Sequence, residues 1–260
     1  MKQARPAPRL LTVTEARHIT PNMIRVTFGG PELEGLPEGR ESANCKLMLP
    51  EINEDRAAFL NRLSEGPAPI RRTYTVRHHW PDRQELVIDF VDHGDNGPAS
   101  AWARAAKPGA FLAFNGPGPV KVQHFEADFY VLAADMSALP MAAAVLEAMP
   151  RDAKGVAFFE ITSPEDQQLI DAPAGVAINW LLHPQPHNSS GAMLHNITSM
   201  DWPEGRVQIC IAGEHGAIAT LRKHLLVERG LDRGDCYISG YWKIGLVEDE
   251  HQALKRTEAA

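Results

Sequence analysis

The chain has 260 residues, 44% of them apolar, and its 33 acidic and 26 basic side chains leave a formal net charge of −7. That length holds two modest domains or one large one, and the acidic balance excludes nucleic acid as a general partner, because a phosphate backbone rewards a basic surface. No apolar run reaches membrane-spanning length, so no membrane insertion is expected.

Through the first half, strand-like runs follow one another at residues 10–19, 23–28, 45–49, 72–76, 86–91 and 111–114. The turns Gly29-Gly30-Pro31, Pro37-Glu38-Gly39, Pro81-Asp82 and Pro108-Gly109 punctuate them. Short strands at this spacing predict an all-β barrel. Residues 51–69 are polar and read as a surface loop with one helical turn near 57–63.

The segment Arg71-Arg72-Thr73-Tyr74-Thr75-Val76-Arg77 sits inside this series. In a strand, alternate side chains share a face, so Arg72, Tyr74 and Val76 lie on one side and Thr73, Thr75 and Arg77 on the other. A cation, a flat ring and a small hydroxyl in that pattern suit a flavin: charge for its pyrophosphate, a ring against its isoalloxazine, a donor near its reactive nitrogen. A buried strand at 86–91, apolar apart from Asp89, then leads into Asp92-His93-Gly94-Asp95-Asn96-Gly97-Pro98-Ala99-Ser100-Ala101-Trp102. Glycines for the turn, proline for a first helical position and an alanine-rich run to residue 106 predict a strand–turn–helix. Its amides would form a natural phosphate seat.

From residue 127 the rhythm changes. Continuous apolar strands at 129–134, 156–161, 176–182, 207–212 and 237–239 alternate with helices at 138–149 and 217–229. Continuous rather than alternating apolar strands predict a parallel sheet covered on both faces. The expected division is a first domain of residues 1–124 and a second of residues 125–260, whose charged tail, 248–260, reads as a helix. In an open parallel sheet, ligands bind beyond the carboxyl ends of strands. The first such end is Ala133-Ala134-Asp135-Met136-Ser137, where Ser137 is a plausible N-cap and Pro140 falls in the first helical turn. A glycine-rich G-x-G-x-x-G loop is absent, and Asp135 would repel phosphate. Glu160 ends the next strand, where an acid commonly accepts bonds from adenosine ribose hydroxyls. No Lys or Arg follows as far as Gly175, which predicts NADH over NADPH unless Arg222 or Lys223 reaches the same place.

These motifs, in this order, resemble the siderophore-interacting protein family, the bacterial NAD(P)H-dependent ferric-siderophore reductases of the ferredoxin-reductase-like superfamily. The resemblance covers roughly residues 10–252. It also rests on Cys45-Lys46-Leu47-Met48-Leu49-Pro50, Asn115-Gly116-Pro117-Gly118, Asp135-Met136-Ser137-Ala138-Leu139-Pro140 and Gly240-Tyr241-Trp242-Lys243. It implies an N-terminal antiparallel flavin-binding β-barrel followed by a C-terminal α/β domain with a parallel sheet. It implies FAD as cofactor, NADH or NADPH as electron donor and a ferric siderophore as substrate, with iron released as Fe(II). A ferredoxin-type protein is the alternative donor.

By resemblance, Tyr74 stacks on the isoalloxazine, Thr75 bonds near its reactive nitrogen, Arg72 offsets phosphate charge, and Arg77 belongs to the same cofactor-binding set. Gly97, Ala99 and Ser100 cradle the pyrophosphate with His93 nearby. Asp135, Ser137, Ala138, Glu160, Gly213, Glu214, Tyr241 and Trp242 belong to cofactor and nucleotide binding, with Ser137 and Ala138 offering amides. Lys46, Lys121 and Lys243 give the anionic substrate a basic cleft, although the family's arginine near Gly118 is absent. No residue need act as general acid or base, so no catalytic residue is assigned. Two other readings compete: a general flavin or ferredoxin-type oxidoreductase, and a non-catalytic siderophore-binding module. Outside these motifs, the prolines in His183-Pro184-Gln185-Pro186-His187 keep two histidines from sharing a helical face. His78-His79-Trp80 reads as a turn. Cys45, Cys210 and Cys236 are odd in number without zinc or redox spacing, which reads as inert buried thiols and no metal site. Residues 1–9 lack the apolar stretch of a signal peptide, and the expected compartment is the cytoplasm.

Overall fold

The computed structural model describes residues 7–95, 97–246 and 250. The helix expected over 248–260 lies outside them, Glu250 excepted. The chain divides into two compact units between Val120 and Lys121.

In the first unit, alternation sets which side chains face inward. β1 (Arg9–Thr20) and β2 (Met23–Gly29) form an antiparallel pair that buries Leu11, Val13, Ile24, Val26 and Phe28. β3 (Asn44–Met48), β4 (Arg71–Thr75), β5 (His78–Trp80), β6 (Glu85–Val91) and β7 (Phe111–Asn115) complete a seven-stranded antiparallel sheet. Its order is β4-β3-β7-β1-β2-β6-β5. The two outermost strands, β4 and β5, are consecutive in the chain, with only Val76 and Arg77 between them. A chain can leave one edge and enter the other in so few residues only if the sheet is rolled up, and a closed barrel results. The Val76 amide bonds Ala43 O and the Arg77 amide bonds Val87 O, both at 2.9 Å, along this seam. β5 is the segment expected as a turn; three residues are too few to show a period, and its pairing with β6 defines it.

Asp89, the one acid in the apolar run of β6, is buried at 3% exposure. It sits opposite Arg25 in the β2–β6 register and takes two 2.7 Å bonds from that guanidinium. α1 (Arg56–Glu65) replaces the expected single helical turn. Asp55 caps it by accepting from the Ala58 amide, and Phe59 anchors it in a side cluster with Leu10 and Ala113. α2 (Pro98–Ala105) follows the turn after β6.

The second unit is a five-stranded parallel sheet made of β8 (Phe129–Ala134), β9 (Lys154–Ile161), β10 (Gly175–Leu182), β11 (Val207–Glu214) and β12 (Cys236–Trp242), in the order β10-β9-β8-β11-β12. α3 (Leu139–Ala148), α4 (Ala192–Ser199) and α5 (His215–Lys223) alternate with these strands. α3 is buried all round from Leu139 to Leu146, as its unbroken apolar sequence requires. α4 is absent from the sequence reading: it is eight residues long, has no side-chain cap, and ends in Thr198 and Ser199, both poor helix formers. α5 stops at Lys223 and passes into a π-helical turn, His224–Glu228, within the stretch expected as one helix. No helix among the described residues is long and apolar enough to cross a membrane.

Candidate functional site

In the barrel, the β3–β4 register sets Tyr74 opposite Cys45, Arg72 opposite Leu47, Thr73 opposite Lys46 and Thr75 opposite Asn44. Directly opposed residues share a face. Arg72 and Tyr74 thus lie on the side of the buried Cys45 and Leu47, and Thr73 and Thr75 on that of Lys46 and Asn44. Tyr74 is half-buried and rests on Phe90, with ring centroids 4.4 Å apart and planes at 40°. Lys46 Nζ donates to Thr73 Oγ1. Arg77 is placed differently from Arg72. It is buried, and its Nε lies 3.8 Å from Asp89 Oδ2, so its charge faces the carboxylate already bound by Arg25.

Asp92, which follows β6, organises the turn that comes next. Its Oδ1 accepts from the Gly94 amide at 3.0 Å and from Ser100 Oγ at 3.4 Å, and its Oδ2 meets His18 Nε2 at 2.8 Å. Burial works to raise its pKa, but the His18 bond, the Gly94 amide and the Arg104 charge hold the carboxyl below its usual range. Ser100 Oγ also accepts from the His93 amide. Gly97 needs its missing side chain: a Cβ there would stand 2.3 Å from His93 Cε1. α2 then starts with Pro98, which has no N–H, and its first helical bond runs from the Ala101 amide to Gly97 O. The amides of Ala99 and Ser100 are left without a helical acceptor, and Gly97 has no side chain to cap them. The seat expected here is therefore made of backbone, with the Ser100 hydroxyl turned to Asp92. Asp92 escapes sequence reasoning because its role depends on His18, 74 residues away.

In the second unit the strand order reverses between β8 and β11, the place where open α/β sheets bind ligands. Asp135 sits there, just beyond β8. Its Oδ1 accepts from Ser137 N at 2.9 Å, Ser137 Oγ at 2.6 Å and Ala138 N at 3.2 Å. Its Oδ2 accepts from Trp242 Nε1 at 2.7 Å. Gly213, at φ 153, brings the end of β11 so close that a Cβ would stand 2.7 Å from the same oxygen. One carboxylate thus joins the ends of β8, β11 and β12. Burial raises its pKa in spite of these four bonds. The Ser137 and Ala138 amides, expected to point at a nucleotide, are turned inward to Asp135, because the acid that would repel a phosphate takes both of them in the turn that leads into α3.

Glu160 is not a solvated strand end either. At 6% exposure it accepts from Ser190 Oγ at 2.5 Å, and burial pushes its pKa up, as does the neighbouring charge of Asp135. Glu214 caps α5 by accepting from the Ala217 amide and also takes the Ile244 amide. Tyr241 meets Tyr237 through their hydroxyls at 3.1 Å, and burial pushes its phenol well above the usual range. His187 lies edge-on to Trp242 at 6.1 Å. The structure therefore brings Asp135, Ser137, Ala138, Gly213 and Trp242 into one cluster, while Glu160, Glu214 and Tyr241 carry bonds of their own.

The remaining lysines lie in the second unit. The Lys121 ammonium is 5.4 Å from the centre of the Tyr237 ring, and Lys243 is half-buried directly after Trp242. Cys45 and Cys210 are buried and Cys236 half-buried; burial pushes the Cys210 thiol up to about 12. Among the described residues no three His, Cys, Asp or Glu side chains gather as a metal site would. The barrel unit's donors fit a flavin dinucleotide: backbone amides at the start of α2, a half-buried tyrosine ring and Arg72 beside it on one face. At the carboxyl ends of β8, β11 and β12, Asp135, Gly213 and Trp242 lie together, with the Ser137 and Ala138 amides bonded to Asp135.

A barrel followed by a parallel α/β unit with these features defines the ferredoxin-reductase-like class. The ferredoxin reductase of carbazole 1,9a-dioxygenase has the same fold, with a TM-score of 0.64 at 15% identity over 91% of this chain and 67% of that one. Residues 12–121 match the siderophore-interacting FAD-binding domain and residues 127–245 the siderophore-interacting protein model. The chain belongs to the siderophore-interacting protein family. It is 33% identical to the ferric vibriobactin reductase ViuB of Vibrio cholerae over 94% of this chain and 92% of that protein. The siderophore-interacting protein SipS of Aeromonas hydrophila superposes with a TM-score of 0.85 at 33% identity, covering 98% of this chain and 99% of that one. A siderophore utilization protein from T. fusca gives 0.81 at 38% identity, covering 94% and 97%.

Proposed function

We propose that this protein is an FAD-dependent reductase that passes electrons from NAD(P)H to ferric siderophores and releases iron as Fe(II). The observation that carries this reading is the 33% identity to a ferric vibriobactin reductase along nearly the whole of both chains. A 29% identical relative, named ferric acinetobactin reductase, from Acinetobacter baumannii, supports it. Bound FAD would supply the change from a two-electron hydride donor to a one-electron reductant. The chain's own residues bind and orient. Ala99 and Ser100 offer amides to a diphosphate, Arg72 offsets charge, and Tyr74 offers a ring backed by Phe90. Asp135 fixes Trp242 at the sheet's carboxyl end, where the nicotinamide nucleotide is received. Lys46 and its hydroxyl partner Thr73 give the substrate a cationic face. Iron(III) takes up an electron and no proton, so no side chain is assigned to protonate the substrate, and the one proton left over per hydride goes to solvent. Hard oxygen ligands hold iron(III) far better than iron(II), so reduction loosens the metal.

The donor preference proposed is NADH, on the absence of Lys and Arg between Glu160 and Gly175. A ferredoxin-type donor is the alternative, and the compartment proposed is the cytoplasm, consistent with three free cysteines. Anaerobic stopped-flow spectroscopy tests the whole reading. Bleaching of the flavin by NADH, then reoxidation by a ferric siderophore with iron(II) trapped by a chelator, is expected. Bleaching without iron-dependent reoxidation would move the protein to the general flavin reductases. No bleaching by either nucleotide would point to a protein donor or to binding alone.

A further inference from the structure

At the opposite end of α5 from Glu214, a cavity of about 170 Å³ is lined by Arg222, Leu226, Arg233, Cys236 and Ile238. It lies at the amino-terminal half of β12, since Cys236 and Ile238 pair with Ile209 and Ile211, whereas Trp242 at the far end pairs with Glu214. We infer that this cavity is a binding site for a small multivalent oxyanion, a phosphate or a compact polycarboxylate, held between Arg222 and Arg233.

The charges around it support this. Arg222 Nη2 donates to Ile238 O at 2.9 Å, which fixes the guanidinium at the wall and leaves most of its five N–H donors for another acceptor. The nearby carboxylates each have another partner, although Asp235 and Asp232 also bear on Cys236. Asp235 takes Arg206 at 2.7 Å, Asp232 takes the Gly234 amide at 2.6 Å, and Glu228 faces His224 at 2.9 Å. Among the described residues neither Arg222 nor Arg233 forms an ion pair with a carboxylate. Two guanidiniums thus line a polar hollow, neither ion-paired among the described residues, with Asp235 and Asp232 beside Cys236 as the nearest negative charges. A guanidinium fork matches the paired oxygens of phosphate and carboxylate alike, and the cavity has room for more than a halide. The π-helical turn that supplies Leu226 is a rare conformation, frequent at functional sites. The site is separate from the nucleotide end of the sheet, so Arg222 is not positioned to receive a 2′-phosphate there.

Cys236 gives the test a reporter inside the cavity. It is half-buried while Cys45 and Cys210 are buried, and burial, with Asp235 and Asp232 beside it, pushes its thiol up to about 11, so alkylation is slow and easy to follow. The flavin-loaded full chain is treated with iodoacetamide at constant ionic strength, with rising sodium phosphate, citrate or chloride. The expected result is a several-fold, saturable slowing of Cys236 alkylation by phosphate or citrate at millimolar concentration, with chloride inert. Which of the two protects assigns the ligand to phosphate or to polycarboxylate. Arg233→Gln, at an exposed position, and Arg222→Met should each abolish the saturation and leave flavin reduction by NADH unchanged. Equal protection by chloride, no protection by either oxyanion, or full protection retained in folded Arg233→Gln would each overturn the site.

Discussion

Asp89 holds two buried or half-buried guanidiniums, Arg25 through two 2.7 Å bonds and Arg77 at 3.8 Å. Removing the carboxylate leaves both cations in a low-dielectric interior, which costs far more than the ion pair itself contributes. Asp89→Ala is expected to lose about 3–5 kcal/mol in urea denaturation. A loss below about 1 kcal/mol would show that water or another acid reaches the arginines. His79 presents the reverse case. Both of its ring nitrogens are buried without a hydrogen-bond partner among the described residues, and burial lowers its pKa against the raising influence of Glu41 and Glu38. The unfolded histidine takes up its proton near about pH 6.5, the folded one only lower. Its share of stability is complete above that pH and falls as pH drops toward the folded pKa. His79→Leu should flatten this acid limb in a plot of urea midpoint against pH. An unchanged limb would assign the acid sensitivity to another group.

At the scale of elements, two helix starts that look alike in sequence differ in use. α2 opens with proline and an uncapped glycine, leaving amides for a guest, whereas the turn that leads into α3 is closed by its own Asp135. The alternation of β4 and the Gly-Pro-Ala-Ser turn were legible because both depend on neighbours in sequence. The closure of the turn before α3 was not, since it needs Trp242, 107 residues away, to fix the carboxylate. Glu160 illustrates the same limit. A strand-end acid is visible in the chain, but its partner Ser190 lies 30 residues on, next to a helix that the composition hid. The pKa of Glu160 is raised by burial, so the stability linked to its proton is complete below the unfolded value and lost as pH rises through the folded one. Glu160→Gln keeps an acceptor for Ser190 and removes the charge beside Asp135. It should raise the urea midpoint at neutral pH and leave it unchanged near about pH 4, below the unfolded glutamate's pKa of about 4.3. A lower midpoint at neutral pH would mean that the ionised form is the one the site is built for.

At the scale of the whole molecule, the change from alternating to continuous apolar strands reads directly as a barrel followed by a parallel sheet, because each pattern follows from how many faces of a sheet are buried. Short pieces such as β5 and α4 are defined by tertiary pairing and carry too few residues for a period. The two half-reactions proposed should separate by mutation. Lys46→Ala is expected to slow reoxidation by a ferric siderophore about tenfold, the loss of one charge-assisted contact of about 1.4 kcal/mol, and to spare reduction by NADH. Stopped-flow traces of each step decide it, and wild-type rates in both would remove Lys46 from the substrate face.

The seam of the barrel adds an evolutionary consequence. β4 carries Arg72, Tyr74 and Thr75, and it is also the edge from which Val76 and Arg77 lead across to close the sheet. The strand read as the flavin's is therefore the same strand that completes the scaffold. A descendant under no pressure to handle electrons could not discard this segment without unrolling the unit. The segment and the scaffold are inherited together here, so the strand would outlast the activity in a lineage that had abandoned it.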